Sequence, residues 1–277
     1  MARRFTTLAA WPLAIALPLA AGDVSKGPNR YSIAQEMALG KQLAMEVEKQ
    51  TAIVTDFAIA EYINRLGQNL ARHSDSSFPM TFKMIDSEEV NAFTLPGGYV
   101  FVNRGVLELS ATEAELSSVI AHELGHAAAR HATRQATQNE LLNAGKVPLA
   151  MATGGLVGLA ARQVFGLGSS MAFYHFSRAF ESEADLLGVQ YLWKAGYDPT
   201  ASVDMFERVE STERAHPGTV SKLFRTHPLT TDRIEKTQRA IGSMPQARDG
   251  FIVNTSEYEA IRERLHSLPK ERLTTRQ

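Results

Sequence analysis

His122 and His126 stand four residues apart, with Glu123 beside the first, inside the alanine-rich stretch VIAHELGHAAARHA of residues 119–132. That composition favours helix, and on a helix residues i and i+4 share a face, so both imidazoles leave together. Two ring nitrogens on one face supply two corners of a tetrahedral zinc site. A glutamate at this spacing is placed as general base for a water that the ion activates. Ala128, Ala129 and Ala132 are small and let other backbone come close.

Two histidines leave a catalytic zinc ion one protein ligand short. The pattern that adds a glycine three residues after the second histidine and a histidine six after it fails here, because those positions hold Ala129 and Ala132. His131 is one residue out of step, points elsewhere on a straight helix, and reads as structural. The better candidate is Glu181, on a separate helical stretch with Asp185 one turn later. Glu181 is the expected third ligand. Asp185 is the expected acceptor of a ligand histidine's free ring N–H, which fixes that ring's tautomer. Glu183, two residues from Glu181, faces away and reads as a solvated acid.

Several elements must position these groups. Ser32 and Asp56 are expected to open helices over 32–48 and 56–72. Residues 80–85 alternate as a half-buried strand, Pro96, Gly97 and Gly98 force a turn, and residues 99–102 make a short strand. A strand just ahead of a metal-binding helix can serve as an open edge for an extended peptide, and that role is expected near Tyr99. Thr112 and Glu115 form a capping box for a helix expected to run unbroken to about residue 142. Later helices are expected over 177–196, 198–209 and, as the last, 231–241. Residues 145–171 are small, apolar and glycine-rich, and read equally as a lid, as core, or as a peripheral membrane contact.

The chain has 277 residues, 44% of them hydrophobic, enough for one large domain with a full core. A net charge of −1 provides no basic face for nucleic acid. The absence of cysteine excludes disulfides, thiolate zinc ligands and cysteine nucleophiles. Arg3 and Arg4 precede an uncharged apolar run ending near Ala21 and Gly22, the pattern of a secretory signal peptide over 1–22. An uncleaved anchor and a mitochondrial presequence are the alternatives. A linker over 23–30, a domain over 31–245 and a tail over 246–277 complete the expected organisation. The tail is shorter than one tetratricopeptide unit of about 34 residues, so no helical-repeat domain is expected there.

HELGH, the upstream NAFTLPGG, the downstream SRAFESEAD and the late THPLTTDR together resemble the gluzincin metallopeptidase family. That family includes the CAAX prenyl proteases, HtpX, the Oma-type protease and the periplasmic β-barrel assembly-enhancing protease. The resemblance covers residues 31–239. It implies an α+β fold, mostly helical and zincin-like, with a small β-sheet next to the active-site helix. It implies one zinc ion per chain, with Glu181 as third ligand. It also implies a late His-Pro segment near the site, which falls on His227, as a latency ligand or a transition-state stabiliser, with Arg233 close by. The implied activity is endopeptidase action on unfolded or misassembled envelope polypeptides in extended form, in the periplasm. The expected form is minimal and soluble, without the spans that a prenyl-protein protease needs. A proteolytically latent chaperone or assembly factor of the envelope is the competing class.

Overall fold

A computed structural model of the chain describes residues 27–143, 176–218, 226–245 and 250–268. The expected signal peptide over 1–22 and the glycine-rich stretch over 145–171 lie outside the described residues. The α+β class is as expected: a small sheet packs against a predominantly helical body.

Helix α1 (Ile33–Gln50) starts at Ser32, whose hydroxyl accepts the N–H of Gln35 while the Gln35 side chain returns to Ser32 in a capping box. Helix α2 (Phe57–Ala71) starts at Asp56 and buries Ile59, Ile63, Leu66 and Leu70 along one stripe. The sheet follows, with β1 (Thr81–Ile85), β2 (Ala92–Leu95) and β3 (Tyr99–Asn103) in the order β1-β3-β2. β3 pairs parallel with β1 and antiparallel with β2. This corrects the expectation that the strand at Tyr99 presents an open edge: β3 is the central strand, and among the described residues the edge of β2 away from β3 pairs with no other strand. The N–H of Asn103 donates to Asn91 O at 2.9 Å. By antiparallel alternation, Ala92 and Thr94 therefore turn their main-chain groups away from β3. Gly97 and Gly98, at φ 75° and 94°, make the turn that brings β2 back onto β3.

A short helix, α3 (Arg104–Leu109), leads to α4 (Glu113–Ala128), which carries the HELGH motif. Thr112 caps α4 by accepting the N–H of Glu115. The Glu115 carboxylate accepts the N–H of Ala111 rather than that of Thr112, and is clasped by Arg208.

The helix does not run unbroken to residue 142. It stops at Ala128, and Arg130 adopts a left-handed conformation (φ 57°) before α5 (His131–Asn143) begins. For a side chain other than glycine that conformation costs on the order of 1–2 kcal/mol. It is held from outside: Arg130 Nε donates to Glu36 Oε1 at 2.6 Å, and its terminal nitrogen donates to the carbonyl of Tyr31.

Helix α6 (Arg178–Ala195) is capped by Ser177 and ends at Gly196 in the left-handed region (φ 85°). α7 (Ala201–Ala215) and α8 (Thr231–Gly242) follow. The segment expected to be a tail instead forms α9 (Ser256–Ser267), whose Tyr258, Ile261 and Leu265 enter the main core with the Tyr258 hydroxyl donating to Ser110 O at 2.8 Å. Three apolar positions among many charges gave little sequence signal, and burial became available only against α2 and α4. Among the described residues no helix is long and apolar enough to cross a membrane.

α4 and α6 pack closely because glycines face backbone. A methyl group added at Gly125 would lie 2.8 Å from Ala184 O, and one at Gly188 would lie 3.1 Å from the main-chain nitrogen of His122. Gly to Ala inside a helix ordinarily stabilises by up to about 1 kcal/mol. Gly125→Ala is expected to reverse that sign and cost about 1–3 kcal/mol by forcing the helices apart. Urea denaturation of the two proteins measures it, and a stabilised variant would contradict the packing described here.

Candidate metal centre

α4 presents His122, Glu123 and His126, α6 presents Glu181 and Asp185, and the segment ahead of α8 presents His227. One ligand atom from each of His122, His126, Glu181 and His227 lies within 4.8 Å of all the others. His122 Nε2 is 3.0 Å from His126 Nε2, and Glu181 oxygens lie 3.5 Å from each of these nitrogens. His227 Nδ1 sits 3.1 Å from Glu181 Oε1 and 3.3 Å from His122 Nε2, while its Nε2 lies 3.3 Å from Glu123 Oε1.

The partners of these groups decide which lone pairs face inward. His122 Nδ1 lies 2.9 Å from Asp185 Oδ1, so in the neutral ring the proton sits on that side and Nε2 faces the cluster. Asp185 is itself fixed by Arg233, whose Nε and a terminal nitrogen each approach a carboxylate oxygen at 2.7 Å. The remaining Arg233 nitrogen stands 3.0 Å from Glu181 Oε2 and 2.9 Å from Pro228 O. Arg233 thus holds both carboxylates of α6 and the carbonyl of Pro228.

The electrostatics call for a cation. Burial works against charge on His122, yet Asp185 and Glu181 push its pKa up to about 10. Burial drives His126 well below the usual imidazole range. Burial also opposes ionisation of Glu181, but His227, His126 and His122 hold it well below the usual carboxylate range. With both rings neutral, the two Nε2 lone pairs 3.0 Å apart would repel one another; a proton held on His122 relieves this, and a metal ion in its place would do the same. Nitrogen and oxygen donors in this number suit a tetrahedral ion such as zinc, so the residues present fit a metal.

Glu123 stands at the rim of the cluster. Burial raises its pKa, and one of its oxygens lies 3.3 Å from His227 Nε2. Its second oxygen is buried with no hydrogen-bond partner among the described residues. It faces a recess of about 650 Å³, open mouth included, whose apolar wall is formed by Val119, Met205, Phe206, Val209 and Leu229.

Two residues read as bystanders are part of the same constellation. His131 does not point elsewhere: its Nδ1 lies 2.9 Å from His126 Nδ1. Glu183 is not a free solvated acid, because it meets His131 Nε2 at 3.1 Å and Arg134 at 3.3 Å. The break at Arg130 turns His131 inward. Neither glycine nor asparagine marks that break in the sequence, and its only trace is the opposite charge of Glu36 and Arg130, far apart along the chain.

The model of peptidase family M48 matches residues 58–241 of this chain. The β-barrel assembly-enhancing protease of Escherichia coli (strain K12) is 31% identical over 238 residues, covering 83% of this chain and 47% of that protein. Metalloprotease LoiP of the same organism is 30% identical over 222 residues, covering 77% of this chain and 85% of LoiP. The mitochondrial metalloendopeptidase OMA1 of Schizosaccharomyces pombe is 32% identical over 178 residues, covering 64% and 51%. The chain spans about half the length of the β-barrel assembly-enhancing proteases it matches. With the family model covering HELGH, Glu181, His227 and the helices between them, the chain belongs to peptidase family M48, a family of metallopeptidases.

Proposed function

We propose that the chain is a zinc-dependent endopeptidase acting on unfolded or misassembled envelope polypeptides. The observation that carries this reading is the convergence of His122 Nε2, His126 Nε2 and the Glu181 carboxylate from two helices, with Glu123 beside them. His122, His126 and Glu181 hold one zinc ion per chain, and the ion when bound supplies Lewis acidity that polarises a peptide carbonyl and acidifies water. Glu123 takes a proton from the attacking water and returns it to the leaving amine. The raised pKa that burial gives its carboxyl suits that exchange. Asp185, clamped by Arg233, keeps the His122 ring turned toward the ion.

The substrate runs extended along the free edge of β2 near Thr94, which admits a strand and excludes a folded domain. An apolar side chain next to the cleaved bond enters the recess walled by Val119, Met205, Phe206 and Val209. Envelope proteins are favoured as substrates by the signal-like residues 1–22 and by the relatives named for β-barrel assembly. Residues 1–22 are accordingly assigned as the signal for export to the periplasm, with the catalytic domain beginning near residue 31.

His227 is assigned to latency. One of its nitrogens lies among the metal-binding atoms and the other lies against the general base. The adjoining Thr226 hydroxyl is 3.5 Å from Asn91, at the start of β2. In this conformation His227 lies against both Glu123 and the cluster of His122, His126 and Glu181, and it must withdraw before a substrate enters. The same contacts favour a second reading, an assembly factor whose proteolysis is held off. Complementation of a null strain by Glu123→Gln separates the two, since it succeeds only if cleavage is dispensable.

Atomic absorption on the purified mature protein is expected to find one zinc ion per chain. Glu123→Gln should retain it while casein cleavage falls about 10²–10⁴-fold, and equal cleavage by both proteins would refute the assignment of Glu123. His227→Ala is expected to raise casein cleavage several-fold in the same assay. A fall instead would make His227 a transition-state stabiliser. In a peptide library, cleavage beside Leu, Met or Phe should exceed cleavage beside Asp by about tenfold or more. An absent preference would show that the recess is not used.

A further inference from the structure

We infer that His131 and Glu183 are positioning residues for His126, forming a second orienting pair that mirrors Asp185 and Arg233 on His122. The inference rests on the zinc-binding reading above. On an unbroken helix His131, five residues after His126, would stand roughly 140° away around the axis. The left-handed Arg130 removes that separation, and Glu36, itself buried, anchors the turn from α1. His131 is fully buried, its ring stacked on Phe180 at 4.3 Å, while the Arg134 guanidinium lies 4.7 Å from the same ring and reaches Glu183. The His126 ring stacks on Phe176 at 4.2 Å. Both ring planes are set by packing, so the nitrogens have little freedom to choose other partners.

Only one proton fits between two ring nitrogens 2.9 Å apart. His126 directs Nε2 into the metal-binding cluster and therefore carries its proton on Nδ1. It donates that proton's hydrogen bond to His131 Nδ1, which must then be bare. His131 consequently bears its own proton on Nε2 and donates to Glu183 Oε2 at 3.1 Å. The chain ends on a carboxylate, as it does at His122, with an imidazole inserted between. The arrangement fixes the tautomer of both rings and makes His126 a better donor toward the ion.

The test uses the full-length mature protein, with zinc alone as the probe, in competition with a chromophoric chelator. His131→Phe keeps an aromatic ring for Phe180 to stack on and removes the nitrogen acceptor, and it is expected to weaken zinc binding about 10–100-fold. Glu183→Gln still offers an acceptor oxygen without charge, and a smaller loss, less than tenfold, is expected. Nitrogen-15 spectra of the zinc-loaded wild type should show His131 protonated at Nε2 and bare at Nδ1, a signature that packing alone would not impose and that survives as a test if His131→Phe misfolds. Unchanged zinc affinity in a folded His131→Phe protein, or His131 protonated at Nδ1 in the wild type, overturns the inference and leaves the peptidase reading intact. A folded wild type with no affinity for zinc overturns both.

Discussion

The close contact of α4 with α6 carries this site. Gly125 lies against the backbone of Ala184, and Gly188 lies against the backbone of His122, so the two helices approach to a distance that any larger side chain would prevent. At that distance two imidazoles from one helix and a carboxylate from the other reach a common point. Apolar burial around Leu116, Ile120, Leu124, Leu187 and Tyr191 supplies the favourable free energy that holds the helices together. The polar groups of the site add little to stability and depend on that packing for their geometry.

Charge balance explains how so many ionisable groups stay buried. Asp185 and Arg233 neutralise one another through paired contacts, and Arg233 also faces Glu181. Removing one member of such a set leaves an uncompensated buried charge, which is strongly unfavourable, whereas the intact set is close to neutral in free energy. Orientation is what the arrangement secures. Each of the two histidines of α4 has one nitrogen against a protein group, leaving the other to face the cluster, and the two differ: His122 meets a carboxylate directly, His126 meets one through His131.

β2 packs against α4, the helix that carries Glu123. His227 and Thr226 stand against the same strand and the same base. One short segment ahead of α8 therefore touches both Glu123 and the head of β2.

Much of this was legible in the residues because it is local. Ser32, Asp56, Thr112 and Ser177 cap helices through contacts three residues away, Gly196 stops one through its own φ, and the i, i+4 geometry puts His122 and His126 on one face whatever surrounds them. The pairing of Glu181 with Asp185 one turn apart follows from the same helical period. What the sequence could not decide depends on partners far away along the chain. Arg130 is left-handed because Glu36 and the Tyr31 carbonyl hold it there, and that turn alone brings His131 between His126 and Glu183. β2 rather than β3 lies at the edge of the three-stranded sheet because strand order is settled by which strands pair, and α9 joins the core because α2 and α4 leave a surface for Tyr258. The amino-acid order therefore determined the helices and the chemistry each could offer, since those follow from neighbours a turn apart. Which groups meet was decided by tertiary packing, since long-range contacts can override local preference at a single residue such as Arg130.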